Sequence, residues 1–482
     1  MDKEAIPLVR FESNDSTPDS DTRRLPEART RRIIVEPVFF LFSLAVVGEA
    51  PVLEQYVYSR FKLDSPLFNE SINRNSTFCQ TNHSDPEFIA MESVQKQTSH
   101  FQMALNLVCS SLAMVTTLVY GTYSDSAGRK VVLILSIMAR AIKFVFTSFV
   151  IGFKLPVQWL LPGEILVGLG GGYATMVMGV NSYLSETTAT DTRTFRMAVL
   201  ETCLAVAVSI SELGLGYFVE KLGFLYPTLT LLGILVIDLI YVWLFVPETR
   251  PSRKVLRSPR QSFIAFCAVY TQREGKRRIK LMLLNIMTLT FLMGCGGASV
   301  GLLFMMNTPL CWGPVQMGIY LAISSLVSQF VGLFALKVFK KFEVSEITVA
   351  AIGTVSAIVG NVLHAWAATT FIMYTVFFVA MLMVLPLPVI RSIISRQVKP
   401  EEQGTVFAGV ASIQSLSSLM VGGIFMYIYK NTLVFMPGFV FIVSALFGVI
   451  TIALILTYIY VCRLADEMDE RKPLQHDWTN CS

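Results

Sequence analysis

The stretch GTYSDSAGRK, residues 121–130, is a short polar turn between two long apolar runs. The runs cover about 103–124 and 130–151. About 20 consecutive apolar residues in a helix cross the roughly 30 Å hydrocarbon core of a bilayer, and both runs are that long. The stretch therefore indicates a tight connection between two membrane-spanning helices.

Five residues of this turn, named here the latch motif, have spacings that suit such a connection: Gly121, Asp125, Gly128, Arg129 and Lys130. Gly128 suits the tight turn, and Gly121 allows a neighbouring helix to approach closely. Asp125 can pair with Arg129 or cap the N-terminus of a helix in another part of the chain. A charge-assisted contact of this kind can be made in one conformation and broken in another.

The rest of the 482-residue chain continues the apolar pattern. Hydrophobic residues make up 53% and charged residues 15%, and the mean hydropathy is +0.58, which is unlike a soluble enzyme. The sequence predicts an all-α membrane protein with twelve transmembrane helices in two six-helix halves. The twelve windows are about 33–58, 103–124, 130–151, 157–182, 196–219, 225–246, 280–306, 315–338, 346–368, 371–395, 404–428 and 436–462.

The polar stretches between these windows predict the domain organisation. We expect an N-terminal half at 33–246 and a C-terminal half at 280–462, joined by a basic cytosolic linker at 247–279. Residues 1–32 form a disordered cytosolic tail and 463–482 a second cytosolic tail. The longest outer loop covers 59–102. No room remains for a soluble catalytic domain.

The distribution of the 39 Lys and Arg residues predicts the orientation. Most of them lie on the cytosolic side if both termini are cytosolic, as the positive-inside rule requires. The net charge of +5 therefore reflects topology and not nucleic-acid binding. We expect a multi-pass protein of the plasma membrane, with an endosomal or lysosomal membrane as the alternative.

The outer loop carries three acceptor sites for N-glycosylation, at Asn69, Asn75 and Asn82. Cys79 lies in the same outer loop, and Cys311 lies on the outer side in the turn after the seventh window. Oxidising conditions on that side allow a disulfide between them. The alternative is two unpaired thiols.

Six spans, a basic linker and six more spans, together with the latch motif, resemble the Major Facilitator Superfamily and its GxxxDxxGRR/K signature. The resemblance implies two halves that rock around a cavity at mid-membrane. Further stretches are similar to the solute carrier 46 family, which includes a proton-coupled folate transporter and a lysosomal steroid-conjugate carrier. They are VEPVFF…QYVYSRF (35–61), SDSAGRK (124–130), RTFRMAVLE (193–201), TPLCW (308–312), VIR…S (389–392) and EQGTVF (402–407).

This family resemblance implies roles for single residues. It implies a disulfide between Cys79 and Cys311, a proton-coupling role for Glu201, and a place in the substrate path for Arg391. The sequence departs from the folate-carrying members at Gly294, where they have a histidine. Folate, another pteridine, a conjugated steroid and a peptidoglycan fragment all stay open as substrates.

Ionisable residues within the apolar windows are costly and need a partner or a purpose. Glu201 and Glu212 are eleven residues apart, which places both on one helix face about 16 Å apart. They can form a proton path or be held by packing hydrogen bonds. Arg140 and Lys143 are neighbours on one face. They can bind an anionic substrate or neutralise Glu201 or Glu212, or Lys143 can pair with a carboxylate in a purely structural role.

Two further charges complete the candidate set. Glu49, near the middle of the first window, can line the cavity. Arg391 follows two prolines that break the helix ladder, and can hold a carboxylate in bidentate fashion or anchor the cytosolic end of its span.

These observations predict a secondary active transporter of an organic anion, working by proton-coupled symport and alternating access. The alternative is a non-transporting receptor or scaffold on a transporter fold. An enzyme is not expected, because no span clusters His, Asp and Glu or Ser and Cys. We expect protons, a small organic anion and the lipid bilayer as partners, no nucleic acid, no cofactor, no metal, and a monomer or loose oligomer.

Overall fold

The computed structural model describes most of the membrane-embedded chain. The described residues are 34–64, 86–249, 264, 266–267, 277–306, 310–433 and 435–470. Every regular element within these residues is a helix. The α-helices are α1 Glu36–Asp64, α2 Pro86–Ala127, α3 Arg129–Gly152, α4 Leu161–Leu169, α5 Gly172–Thr187, α6 Arg193–Leu222, α7 Leu225–Phe245, α8 Arg277–Gly294, α9 Ala298–Met306, α10 Pro314–Lys341, α11 Glu346–Ala365, α12 Thr370–Ala380, α13 Pro386–Arg396, α14 Gln403–Thr432 and α15 Phe439–Glu470.

Twelve segments of the described chain are long and apolar enough to cross a membrane, which confirms the twelve windows. We call them spans 1–12 in chain order. Helices α4 and α5 together form span 4, α8 and α9 form span 7, and α12 and α13 form span 10, whereas each other span has one α-helix. Spans 1–6 form the N-terminal half and spans 7–12 the C-terminal half.

Spans 4, 7 and 10 are each interrupted near the middle. Span 4 breaks where Gly171 and Gly172 adopt positive φ angles of 83° and 57°, a conformation that only glycine adopts without strain. Span 7 breaks at residues 295–297, and span 10 breaks just before Pro386, whose ring cannot continue the helix ladder. Interrupted helices at membrane depth are typical of spans that line the substrate cavity of a transporter.

The two halves touch at one end of the bundle, which we name the closed side and which contains Asp125. Helix α2 packs along α14, and α6 packs along α10 and α13. Polar contacts between described residues of the two halves begin at this end and reach no further than a hydrogen bond from Ser412 to the carbonyl of Met114. Ser412 lies about 14 Å from the start of α14.

Towards the other end, which we name the open side, the apolar core is divided. One cluster there belongs to the C-terminal half and includes Trp312 and Phe441. Another belongs to the N-terminal half and includes Tyr56 and Leu160. Clusters that combine both halves, such as the one that joins Phe407 to Phe42, lie towards the closed side. The described part of the chain is therefore in a conformation whose two halves separate on the open side.

Gly121 makes the contact between α2 and α14 possible. A Cβ atom at Gly121 would lie 2.3 Å from the Cβ of Ala408 and 2.6 Å from the carbonyl oxygen of Gly404. Both neighbours are rigid, because one is an alanine and the other is backbone. Any side chain here would keep the two helices apart.

We expect Gly121→Val to shift the protein away from this conformation, whereas Gly423→Val does not. A Cβ at Gly423, also on α14, would meet no atom within 4 Å. Spin labels at the exposed residues Asp191 and Lys399 report the separation of the halves on the closed side. The mean label distance should increase in Gly121→Val alone. Equal distance distributions in the two variants would show that this helix contact does not control closure.

Candidate functional site

The carboxylate of Asp125 joins the two halves at the closed side. It accepts hydrogen bonds from the backbone N–H groups of Gly404 and Thr405, both at 2.8 Å, and from the Thr405 hydroxyl at 2.6 Å. These N–H groups belong to the first turn of α14, where an anion is stabilised by unpaired donors and by the helix dipole. Asp125 also pairs with Arg129 at 2.7 Å. Both contacts considered for Asp125 from the sequence are therefore present together.

Two carboxylates that the sequence analysis missed hold the other side of this turn. Glu186, at the end of span 4, pairs with the fully buried Arg129 at 2.6 Å. Glu248, just after span 6, accepts hydrogen bonds from the backbone N–H groups of Arg129 and Lys130 at 2.8 and 3.1 Å. Gly128 has a φ of 116°, and a Cβ there would lie 2.3 Å from the Glu248 carboxylate. The signal for both glutamates was available, because each is an acidic residue at a span end next to a basic turn.

A second set of contacts joins the start of span 5 to the end of span 10 and the start of span 9. Arg193 donates to the hydroxyl of Ser395 at 2.9 Å. The Thr194 hydroxyl donates to the Glu346 carboxylate at 2.5 Å, and its oxygen lies 2.7 Å from the Ser392 hydroxyl. Two stretches that carry the family resemblance, RTFRMAVLE and VIR…S, thus meet across the two halves.

Deeper in the bundle, Glu201 of span 5 forms an ion pair with Arg391 of span 10. The side chain of Arg391 is 5% exposed and that of Glu201 is 16% exposed. The Nε–H group of Arg391 is buried and has no hydrogen-bond partner. The sequence-predicted proton-coupling residue and the sequence-predicted substrate residue are therefore in direct contact, one from each half.

Tyr173 adds a polar and aromatic surface beside this ion pair. It follows the break in span 4, lies next to Ser43 of span 1, and is within electrostatic range of both charges of the pair. The hydroxyls of Tyr173 and Ser43 are buried and lie near each other, but neither forms a hydrogen bond within the usual limits of distance and angle. The Tyr173 ring packs against Phe39 and Phe42, with ring centroids 6.1 and 6.2 Å apart. Buried polar atoms that lack partners are rare, and several together suit the binding of a polar ligand group.

Four other charges form a separate network within the N-terminal half. Glu49 lies 3.0 Å from Arg140 and 2.8 Å from Lys143, and Lys143 also pairs with Glu164. All four side chains are less than a tenth exposed. Arg140 and Lys143 therefore neutralise Glu49 and Glu164. Of the partners that the sequence left open, the structure supports a structural carboxylate for Lys143, and Glu201 pairs with Arg391 instead. Spans 3 and 4 form an antiparallel pair, so the similar depths of Lys143 and Glu164 could have indicated this contact.

Some predicted residues lie outside the described part of the chain. These are Asn69, Asn75, Asn82, Cys79 and the side chain of Glu212. Cys311 has a φ of 50° and is not among the free cysteines. The glycosylation sites, the disulfide and the shared face of Glu201 and Glu212 stay predictions. Among the described residues, no cluster of three or more His, Cys, Asp and Glu could hold a metal ion.

Comparison with known proteins identifies the family that this arrangement represents. The profile of the Major Facilitator Superfamily matches residues 86–422. The chain belongs to the Major Facilitator Superfamily. It is a multi-pass membrane transporter, and its six-plus-six arrangement is the fold of that superfamily.

Relatives within the superfamily are members of the solute carrier 46 family, which confirms the resemblance seen in the sequence. The lysosomal proton-coupled steroid conjugate and bile acid symporter SLC46A3 of Bos taurus is 30% identical, with 89% of this chain and 95% of that protein covered. The proton-coupled folate transporter of Rattus norvegicus is 28% identical, with 90% and 94% covered.

Solved structures show the same superfamily fold. The human organic anion transporter MFSD10 (TETRAN) aligns with a TM-score of 0.68 at 16% identity, covering 90% of this chain and 100% of that chain. The superfamily transporter FucP in the outward conformation aligns with a TM-score of 0.59 at 13% identity, covering 88% and 97%. At these identities the likeness is one of fold alone.

The network of Glu49, Arg140, Lys143 and Glu164 gives a prediction about stability. Lys143→Met leaves two buried carboxylates facing a single cation, and breaking a buried ion pair in this way costs about 3–5 kcal/mol of unfolding free energy. The double variant Lys143→Met/Glu164→Gln restores the charge balance and should recover most of that loss. Thermal unfolding of the purified protein measures both.

Lys341→Met is the matched control, because Lys341 is exposed at the end of α10. It should unfold at the same temperature as the wild type. If the double variant is as unstable as Lys143→Met alone, charge balance is not what this network provides.

Proposed function

We propose that this transporter moves an organic anion together with protons, and that it does so by alternating access. The observation that supports this most directly is the ion pair between Glu201 and Arg391, with one partner in each half. A buried pair that spans two moving bodies contributes little net stability compared with apolar packing, whereas its loss is costly. Such a pair is suited to act as a switch that responds both to protonation of Glu201 and to binding of the substrate at Arg391.

The chemistry follows from the competition for Arg391. While Glu201 is ionised, it occupies the guanidinium. Protonation of Glu201 removes the negative charge and frees a planar group that binds carboxylate or sulfate oxygens through two parallel hydrogen bonds. Proton binding therefore favours anion binding, and by linkage anion binding favours proton binding to the same extent. This reciprocity is the coupling that symport requires.

The surroundings of Arg391 support an anion that also has an apolar ring. Its unpaired Nε–H and the hydroxyls of Ser43 and Tyr173 offer further hydrogen bonds to an oxyanion. The aromatic group of Tyr173, Phe39 and Phe42 offers an apolar wall beside them. The names of the relatives mention steroid conjugates, bile acids and folate, all of which combine an anionic group with rings. We favour a conjugated amphipathic anion, because Gly294 stands where folate-carrying members have a histidine.

The conformational change uses the closed side. Substrate and protons enter from the open side, and the contacts of Asp125 with α14 and of Arg193 with Ser395 must break before the closed side opens. We propose that Glu212 continues the proton path of span 5 and that the network of Glu49 fixes the shape of the N-terminal half.

We propose the following topology from the distribution of basic residues. The closed side and both termini are cytosolic, and the halves 33–246 and 280–462 are joined by the basic linker. The loop 59–102 then lies on the outer side, glycosylated and tied to the C-terminal half by a disulfide between Cys79 and Cys311. The plasma membrane is the expected location. A lysosomal membrane, as in one of the relatives, gives the same direction of transport because its lumen is acidic.

Uptake by proteoliposomes tests the coupling. Radiolabelled estrone sulfate, taurocholate and folate are offered at an outer pH of 5.5 and of 7.4, with the lumen at 7.4. We expect accumulation of an anion at pH 5.5 that falls several-fold at 7.4. In Glu201→Gln this dependence on pH should disappear, and in Arg391→Lys uptake should fall roughly tenfold or more, because a bidentate partner is lost.

Glu220→Gln is the matched control, since Glu220 is an exposed carboxylate on the same helix. It should behave as the wild type. An unchanged pH ratio in Glu201→Gln would remove the coupling role of that residue. Tight binding of an anion without accumulation would instead identify a receptor on a transporter fold.

A further inference from the structure

The ion-paired charges in the middle of the bundle, between the closed-side contacts and the open side, are matched in number. The network of Glu49 contains two cations and two carboxylates, all of them buried. The pair of Glu201 and Arg391 adds one charge of each sign. Across the described residues of this region, three cations therefore face three carboxylates. The cations are Arg140, Lys143 and Arg391, and the carboxylates are Glu49, Glu164 and Glu201.

Asp238 of span 6 is a further acid in this region, and no described cation lies beside it. It is fully buried and lies on the same face of α7 as Leu235 and Val242, which pack in the core of the N-terminal half. Neither of its carboxyl oxygens has a hydrogen-bond partner, and no charged side chain of the described chain lies within electrostatic range. An ionised carboxylate without a partner is very costly at this depth, so Asp238 carries a proton. It therefore adds no charge to the count.

Protonation of Glu201 would change this balance by one. Among the described side chains in the middle of the bundle, it leaves a single unmatched charge, that of Arg391. Tyr173, which also faces Glu201, contributes an uncharged hydroxyl. The site around Arg391 can therefore neutralise one negative charge.

The charged groups of the other helices that pack along α6 lie nearer the closed side. On span 1, Glu36 pairs with Arg196 of α6 at 2.5 Å, so this pair is matched. On span 8, Lys337 is exposed, and its Nζ lies 5.1 Å from the centroid of the Phe195 ring. Phe195 precedes Glu201 by six residues, which is about 9 Å along the helix. These groups therefore do not supply a second cation to an anion at Arg391.

We propose that the transported anion carries a single negative charge and moves with one proton, so that the cycle moves no net charge. The proposal rests on the symport proposed above. In the loaded carrier, the proton is bound to Glu201 and the anion neutralises Arg391. In the empty carrier, Glu201 has released that proton at the closed side and pairs with Arg391 again. A second negative charge on the substrate would be buried without a partner.

This charge requirement defines the substrate class more closely. A sulfate monoester, a sulfonate or a single carboxylate on an apolar ring body carries one negative charge. Folate carries two carboxylates, and this counts against it independently of the residue at position 294.

Uptake by proteoliposomes at two membrane potentials tests the proposal. The full-length protein works under the proton gradient described above, and potassium with valinomycin sets the potential at zero or at about 100 mV, negative inside. Estrone sulfate has one charge, and estradiol disulfate has two on nearly the same ring body. We expect equal uptake of estrone sulfate at both potentials. Uptake of the disulfate should be at least tenfold lower, because its second charge has no partner.

Glu201→Gln should make the uptake of estrone sulfate sensitive to the potential. Its empty carrier returns with Arg391 unmatched, so each cycle moves one negative charge inward. A potential that is negative inside should then lower accumulation several-fold. Asp238→Asn is the matched control, because it replaces a neutral acid by a neutral amide of the same shape. It should behave as the wild type at both potentials.

The outcomes separate this proposal from the symport on which it rests. Accumulation of estrone sulfate by the wild type that changes with the potential would overturn the single charge and leave the symport in place, and so would equal uptake of the disulfate. A lack of accumulation under the proton gradient would overturn the symport itself. A dependence on potential in Asp238→Asn would show that Asp238 moves a charge during the cycle, and would overturn the charge count.

Discussion

The ion pair between Glu201 and Arg391 is the interaction on which the account of this transporter depends. Both charges are largely removed from water, so neither can be left without a partner unless its charge is neutralised. Because the two residues belong to different halves, the proposed mechanism has the pair convert a local protonation event into a change in the force between the halves. In that mechanism, the unpaired atoms around Arg391 offer hydrogen bonds to an incoming anion once Glu201 is protonated.

The same kind of contact occurs twice on the closed side. In each case a carboxylate accepts hydrogen bonds from the first turn of a helix that belongs to another segment. Asp125 binds the start of α14, and Glu248 binds the start of α3. The first contact crosses the halves, and the second joins α3 to the residues that directly follow span 6. Crossing contacts of this kind form only when the helix ends meet, so they stabilise one conformation without locking it. Gly121 is required because α14 approaches too closely for a side chain, and Gly128 because its φ is positive and the Glu248 carboxylate lies against it.

Hydropathy predicted the twelve spans because a long apolar segment in a bilayer satisfies its own backbone hydrogen bonds by forming a helix. The contacts of Asp125 were also predictable, since the spacing of the turn restricts what it can reach. The partners of Arg140 and Lys143 were not, because periodicity places residues on a helix face but does not show which neighbour that face meets. The sequence left open an anionic substrate, Glu201 or Glu212, and an unnamed structural carboxylate, and the structure pairs these cations with Glu49 and Glu164. Tyr173 was missed for a related reason, since its position follows from the break in span 4.

Proton uptake on anion binding tests the central claim most directly. Purified protein in weakly buffered solution at neutral pH receives the anion that proteoliposomes accumulate, and a pH indicator reports the protons taken up per protein. The wild type should take up about one proton as the anion replaces Glu201 on Arg391, whereas Glu201→Gln should bind the anion and take up almost none. Anion binding by the wild type without proton uptake, or equal uptake by Glu201→Gln, would contradict the account.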